Sequence, residues 1–178
     1  MASQNRRRDK TDDELRVLVA GFGNVLRGDD AFGVLVAQRL LEEPIPDGVE
    51  VVEVGIGGIH LVQKLLDEVD ALIVIDAVDL GRPPGTLLVL RPDVLDVSVL
   101  PPSRRRDELA DMHYATPERT FMVAGALGVL PEPTLLVGCQ LADPDQLGIG
   151  VSPEVSRAAE AAVDEVRRIV TELGIRWD

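Results

Sequence analysis

Residues 71–75 read Ala-Leu-Ile-Val-Ile, five apolar side chains in succession with no polar face. A strand wetted on one side alternates apolar with polar residues, so this run predicts a strand covered on both faces. Such a strand needs a layer of helices on each side, which confines the chain to the α/β architectures. Further strand-like runs, less purely apolar, stand at residues 16–20, 49–54 and 134–138. Amphipathic stretches separate them. One runs from about residue 30 to 42, with Phe32, Leu35, Val36 and Leu40 on its apolar side. Another carries Leu61, Val62, Leu65 and Leu66, and a long stripe near the end carries Val155, Ala159, Ala162, Val166, Ile169 and Leu173.

Helix-start chemistry occurs twice, as Thr116-Pro117-Glu118 and as Ser152-Pro153-Glu154. Each offers a capping hydroxyl, a first-turn proline and an acid matched to the helix dipole. The first predicts a helix to about residue 127, and the second a long helix stopped by Gly174. The loop holding Gly81, Pro83, Pro84 and Gly85 leads into an apolar run at 86–90. It is too short for a crossover helix, which leaves an antiparallel edge strand open for that run. Residues 91–115 lose all periodicity, and a connection of that length is more often functional or mobile than idle. With no internal repeat and no linker, the expectation is one doubly wound domain over residues 15–178, preceded by a disordered tail at 1–14.

Composition narrows the function. Hydrophobic residues make up 46% and aromatics only 3%, so Val, Leu, Ile and Ala must build the core. A net charge of -13 argues against nucleic acid or an anionic membrane surface as partner, since both would be repelled. The single cysteine, Cys139, excludes an intrachain disulfide and a Cys-rich metal site. The basic start at Arg6–Arg8 continues into Asp9, Lys10, Thr11, Asp12 and Asp13 rather than an apolar segment, and a cytoplasmic location is expected.

Open α/β sheets bind ligands beyond the carboxyl ends of their strands. Asp29 and Asp30 follow the first strand, Glu53 and Gly55 to Gly58 the second, and Asp76 and Asp79 the third. Cys139, Gln140 and Asp143 follow the last, and His113 lies in the long loop. Asp30, Asp76 and His113 could therefore converge on one rim and hold one metal. Each also has a plain structural role open to it. Asp29 or Asp30 can cap the first helix, Asp76 can bond loop amides, and a lone loop histidine is usually solvated. His60 reads as structural or surface, Arg104 to Arg106 as a solvated stretch, and Cys139 as a buried small hydrophobe. A dinucleotide site is disfavoured, because Leu26 stands where the fingerprint needs its third glycine. Asp29 and Asp30 would also occupy the place of a pyrophosphate.

The run GFGNVLRGDDAFGV, from Gly21 to Val34, resembles the N-terminal signature of the hydrogenase maturation peptidases, G-x-G-N-x-L-x-x-D-[DE]-x-x-G-V. Further similarities follow in order: Ile75-Asp76-Ala77, Pro83-Pro84-Gly85-Thr86, Asp111-Met112-His113-Tyr114, and Gly148 through Pro153. Together they span roughly residues 15–174. The resemblance implies a three-layer α/β/α sandwich with a twisted, mostly parallel five-stranded sheet. It implies a metal-contacting triad at Asp30, Asp76 and His113. It also implies an endopeptidase that removes a C-terminal extension from the nickel-loaded large-subunit precursor of a nickel–iron hydrogenase. The nickel would be supplied by that precursor, with no nucleotide required.

Two positions depart from the family pattern. Glu53-Val54-Gly55-Ile56 replaces a D-G-G-T turn, and Asp111 replaces a serine. Two carboxylates and an imidazole suit nickel or zinc and leave positions for water or substrate. The competing readings are a non-catalytic, nickel-sensing chaperone and, more distantly, a nucleotide- or phosphate-binding enzyme of the same fold.

Overall fold

The computed structural model describes residues 14–104 and 116–178. The expected tail, bar Glu14, lies outside them, as do Asp111, His113, and Arg105 and Arg106 of the arginine run.

Five strands form one sheet: β1 (Val17–Phe22), β2 (Val49–Gly55), β3 (Ala71–Val78), β4 (Leu87–Leu90) and β5 (Thr134–Gln140). Their spatial order is β2-β1-β3-β5-β4. The pairs β1–β2, β1–β3 and β3–β5 are parallel, and β4 runs antiparallel to β5 at the edge. Among the described residues, helices α1 (Phe32–Leu41), α2 (Gly58–Leu65), α3 (Pro117–Ala126) and α4 (Pro153–Leu173) flank the sheet.

The two-residue period of a strand sorts the apolar runs into two cores. Val17, Val19, Ala71, Ile73 and Ile75 point to one face and pack with Phe32, Val36 and Leu40 of α1 and Val155, Ala162 and Val166 of α4. Leu18, Ala20, Phe22, Leu72 and Val74 point to the other, against Leu61 and Leu65 of α2 and Phe121 and Ala124 of α3. Burial on both faces is why residues 71–75 carry no polar side chain. The result is a three-layer α/β/α sandwich.

Several boundaries differ from the sequence expectation. The first helical segment opens as a 3-10 turn over Gly28–Ala31, and the α-helix begins only at Phe32. β3 and β5 continue past their apolar runs, pairing Asp76 with Gly138 and Ala77 with Cys139. Backbone hydrogen bonding is indifferent to side-chain polarity, so Asp76 lies within its strand rather than after it. Leu66, read as part of the apolar stripe of α2, is the C-cap of that helix and is exposed. Within residues 91–104 the chain forms a 3-10 turn at Val97–Val99, where Asp96 accepts the Ser98 N–H. The helix starts behave as read: Thr116 and Ser152 each accept a backbone N–H three residues on. Gly174 ends α4 with φ 117, in the left-handed region that favours glycine.

Candidate active site

The connections from β1 leave toward β2 on one side while β3 lies on the other. The sheet therefore has its switch point between the carboxyl ends of β1 and β3, where doubly wound proteins place their ligands. A cleft of about 640 Å³ opens there. Asn24, Arg27, Asp30, Asp76, Asp79 and Glu118 are its polar lining, with Gly55, Ile56 and Leu80 at its sides.

Close approach of α1 to the sheet sets this geometry. A Cβ at Gly33 would sit 2.1 Å from the Ile75 carbonyl oxygen and 2.3 Å from that of Phe22. Only glycine there lets the first turn of α1 rest on the ends of β1 and β3 together, which brings Asp30 over the strand that carries Asp76. Gly23 makes the opposite contact: it has φ 132, and a Cβ would meet the Asp30 carbonyl oxygen at 1.9 Å.

Asp29 and Asp30 part company at this point. Asp29 is fully buried, and its carboxylate accepts hydrogen bonds from Ala142 N (2.9 Å), Ser152 N (2.6 Å) and Ser152 Oγ (3.1 Å). It ties the loop after β5 to the loop after β1. Asp30 turns to the cleft and accepts the Asn24 N–H at 2.9 Å. Neither acid caps its helix, whose N-terminal residues receive no side-chain cap.

Asp76 accepts the N–H of Ala77 at 2.9 Å, a single bond against a strong opposing pressure. Burial, and next the negative charge of Asp30, push its carboxyl up to about 8. Glu118, at the start of α3, pushes the same way, and only the Ala77 hydrogen bond opposes the rise. A carboxyl raised this far is mostly protonated at neutral pH. The sequence offered Glu118 only as a dipole-matching acid, and nothing in its motif signalled that α3 would turn it toward Asp76.

The remaining rim residues separate. Cys139 is buried, its thiol pushed up to about 12 by burial and then by Asp29. Gln140 is also buried; its amide accepts from Leu80 N and Arg82 N and donates to Asp79 Oδ1, so it holds the loop after β3. That positioning role was not visible in sequence, because it depends on the β3–β5 pairing. Glu53 accepts from Gln38. His60 is exposed and lines a different hollow with Lys64 and Asp67. Asp143 is exposed on its loop and accepts the Asp145 N–H. His113, the expected imidazole, lies outside the described residues. Among the described residues no group of three His, Cys, Asp or Glu is placed to hold a metal.

As a donor set, the part of the cleft that is described fits a hard or borderline cation. The carboxyl groups of Asp30, Asp76, Asp79 and Glu118 face one space, and repulsion among them is relieved by positive charge. Among the described residues neither a serine nor a cysteine lines it, and the Thr116 hydroxyl there accepts the Arg119 N–H as a helix cap. Fold and cleft together define an α/β protein with a carboxylate-lined cleft at the switch point of its sheet.

Comparison with known proteins makes the class specific. The hydrogenase maturation protease family model matches residues 34–169. The hydrogenase expression/formation protein HupD of Rhodobacter capsulatus is 34% identical over 161 residues, covering 90% of this chain and 73% of its own. Among solved structures, the hydrogenase maturating endopeptidase HybD from E. coli superposes with a TM-score of 0.71 at 27% identity, covering 91% of this chain and 96% of that one. The hydrogenase 2 maturation peptidase from Thaumarchaeota archaeon SCGC_AB-539-E09 gives 0.64 at 35% identity, with 88% and 98% covered. The chain belongs to the hydrogenase maturation protease family. It is a peptidase, and its mostly parallel five-stranded sheet with one antiparallel pair is the family's fold. No helix among the described residues is long and apolar enough to cross a membrane.

Proposed function

We propose that this protein cuts the C-terminal extension from the nickel-loaded large-subunit precursor of a nickel–iron hydrogenase, in the cytoplasm, with residues 15–178 acting as one domain. Asp30, Asp76 and His113 are the residues assigned to the metal and to the cut. The observation that carries this reading is the shared cleft of Asp30 and Asp76, in which burial, and next the charge of Asp30, raises the Asp76 carboxyl.

The nickel belongs to the substrate, and when the precursor is bound it supplies a Lewis acid that polarises a carbonyl or acidifies a water. The chain's own residues do the rest. Asp30, fixed by the Asn24 N–H, presents negative charge to the incoming cation. Asp76 gives its proton up to solvent as that positive charge offsets the cost of burial and the repulsion from Asp30 and Glu118. The carboxylate so formed accepts a proton from the water that attacks the scissile carbonyl carbon. It then returns that proton to the leaving nitrogen, the C–N bond breaks, and a new carboxyl terminus and a free amine result. His113 completes the donor set in this proposal. Without the cation Asp76 stays protonated and cannot serve as the base, which makes cutting conditional on a loaded precursor.

The test is to mix the protein with nickel-loaded and nickel-free precursor and weigh the products by mass spectrometry. Loss of a C-terminal peptide from the loaded form alone is the expected result. Binding without any mass loss would show a nickel-sensing chaperone instead.

A further inference from the structure

The lip of the cleft carries aliphatic side chains that the fold has no use for. Arg27 lines the cleft and pairs in parallel with Gly148, so Leu26 and Leu147 stand side by side, with Ile149 next along the loop. Leu26 is 61% exposed, Leu147 79% and Ile149 89%, and Val25 is exposed beside them. Exposed aliphatic residues on a loose loop would mean little, but this loop is held. Gly28 N donates to the Gly148 carbonyl and Gly148 N to that of Leu26, each at 2.9 Å. The Arg27 guanidinium donates to Pro144 O, and the buried Asp29 carboxylate anchors both ends of the loop at Ala142 and Ser152. A contiguous apolar patch on fixed backbone loses little entropy on binding, and such patches mark protein contacts.

We infer that Leu26, Leu147 and Ile149 form the docking surface for the folded body of the hydrogenase precursor, apart from the segment that is cut. This deepens the peptidase reading and rests on it. Two observations choose the occupant. The patch is continuous with the cleft through Arg27, so a partner covering it lies beside the entrance to Asp30 and Asp76. Its loop carries Asp143 and Asp145, and the adjoining Arg27 is already bonded to Pro144 O, so the complementary surface is apolar with basic residues facing those acids. A second copy of this chain, at net charge -13, is poorly suited to supply that ring.

The experiment is steady-state cleavage of nickel-loaded precursor by the full-length protein and by the double variant Leu147→Ser/Ile149→Ser, alongside precursor binding measured by calorimetry. Serine removes the aliphatic surface without adding charge, and both residues are too exposed to matter for folding. The expected result is a KM and a dissociation constant raised about tenfold or more, with kcat at saturation within about twofold. Unchanged KM and binding would overturn the docking surface while leaving the peptidase reading intact. So would a wild-type dimer that the substitutions split while cleavage stays normal. If wild type binds precursor without cutting it, the peptidase reading falls, and weakened binding by the double variant still upholds the docking surface. Neither binding nor cutting by wild type would overturn both.

Discussion

The carboxylate of Asp29 accepts three hydrogen bonds in a fully buried setting, while Asp30, one residue on, faces the cleft. Their substitutions should therefore fail in different ways. Asp29→Ala strands the N–H groups of Ala142 and Ser152 and should lower stability by about 3 kcal/mol in a denaturant titration. Asp30→Ala leaves one partly buried N–H, that of Asn24, and should cost about 1 kcal/mol while abolishing cleavage of loaded precursor. Asp76→Asn keeps the shape of the protonated carboxyl but can accept no proton. It should fold normally and cut at least about a hundredfold more slowly in a single-turnover assay. Cys139 has a thiol pushed up to about 12 and no exposed surface, so iodoacetamide should leave it unmodified in the native protein and label it after denaturation.

Among the elements, α1 bears most on the site, because its first turn rests on the carboxyl ends of β1 and β3. The Cβ of a Gly33→Ala variant would overlap two backbone oxygens, of Ile75 and Phe22, and neither belongs to a flexible side chain. The helix or the strands must then separate. A loss of about 3 kcal/mol or more is expected by chemical denaturation, with cleavage impaired even where the variant remains folded, since Asp30 moves with the helix. At the opposite rim, Gln140 of β5 holds the loop after β3 through Leu80, Arg82 and Asp79. Strand pairing thus fixes one wall of the cleft and helix packing the other.

For the whole molecule, the raised Asp76 carboxyl links stability to pH. The folded, metal-free protein keeps this proton up to pH of about 8, whereas an unfolded chain loses it near the ordinary carboxylate value. Unfolding between those limits releases a proton, so the contribution is greatest in acid, falls as pH rises from about 4 to about 8, and is level above. The loss is on the order of a few kcal/mol, at most about 6. Denaturant titrations of the metal-free protein at pH 6 and pH 9 should show it, and Asp76→Asn should remove most of the difference. An equal pH slope in the variant would assign the effect to other groups.

The chain alone carried the layers of this fold. Apolar runs at 16–20, 71–75 and 134–138, set between amphipathic stretches, can only be strands covered on both faces, and Thr116, Ser152 and Gly174 mark helix ends by local chemistry that needs no distant partner. The short link through Gly85 left an antiparallel edge open for the fourth strand, and β4 took that place. The acids at the strand ends were also legible, as a set. Which acid does what was not, because Asp29 and Asp30 are alike in sequence and in propensity. Only the packing of α1 on β1 and β3, together with the loop that meets Asp29 from 113 residues away at Ala142, turns one inward and the other toward Asp76. The raised Asp76 carboxyl and the parts played by Glu118 and Gln140 belong to the same level. Each is a property of groups brought together by folding, through burial and charge that no single stretch of chain possesses.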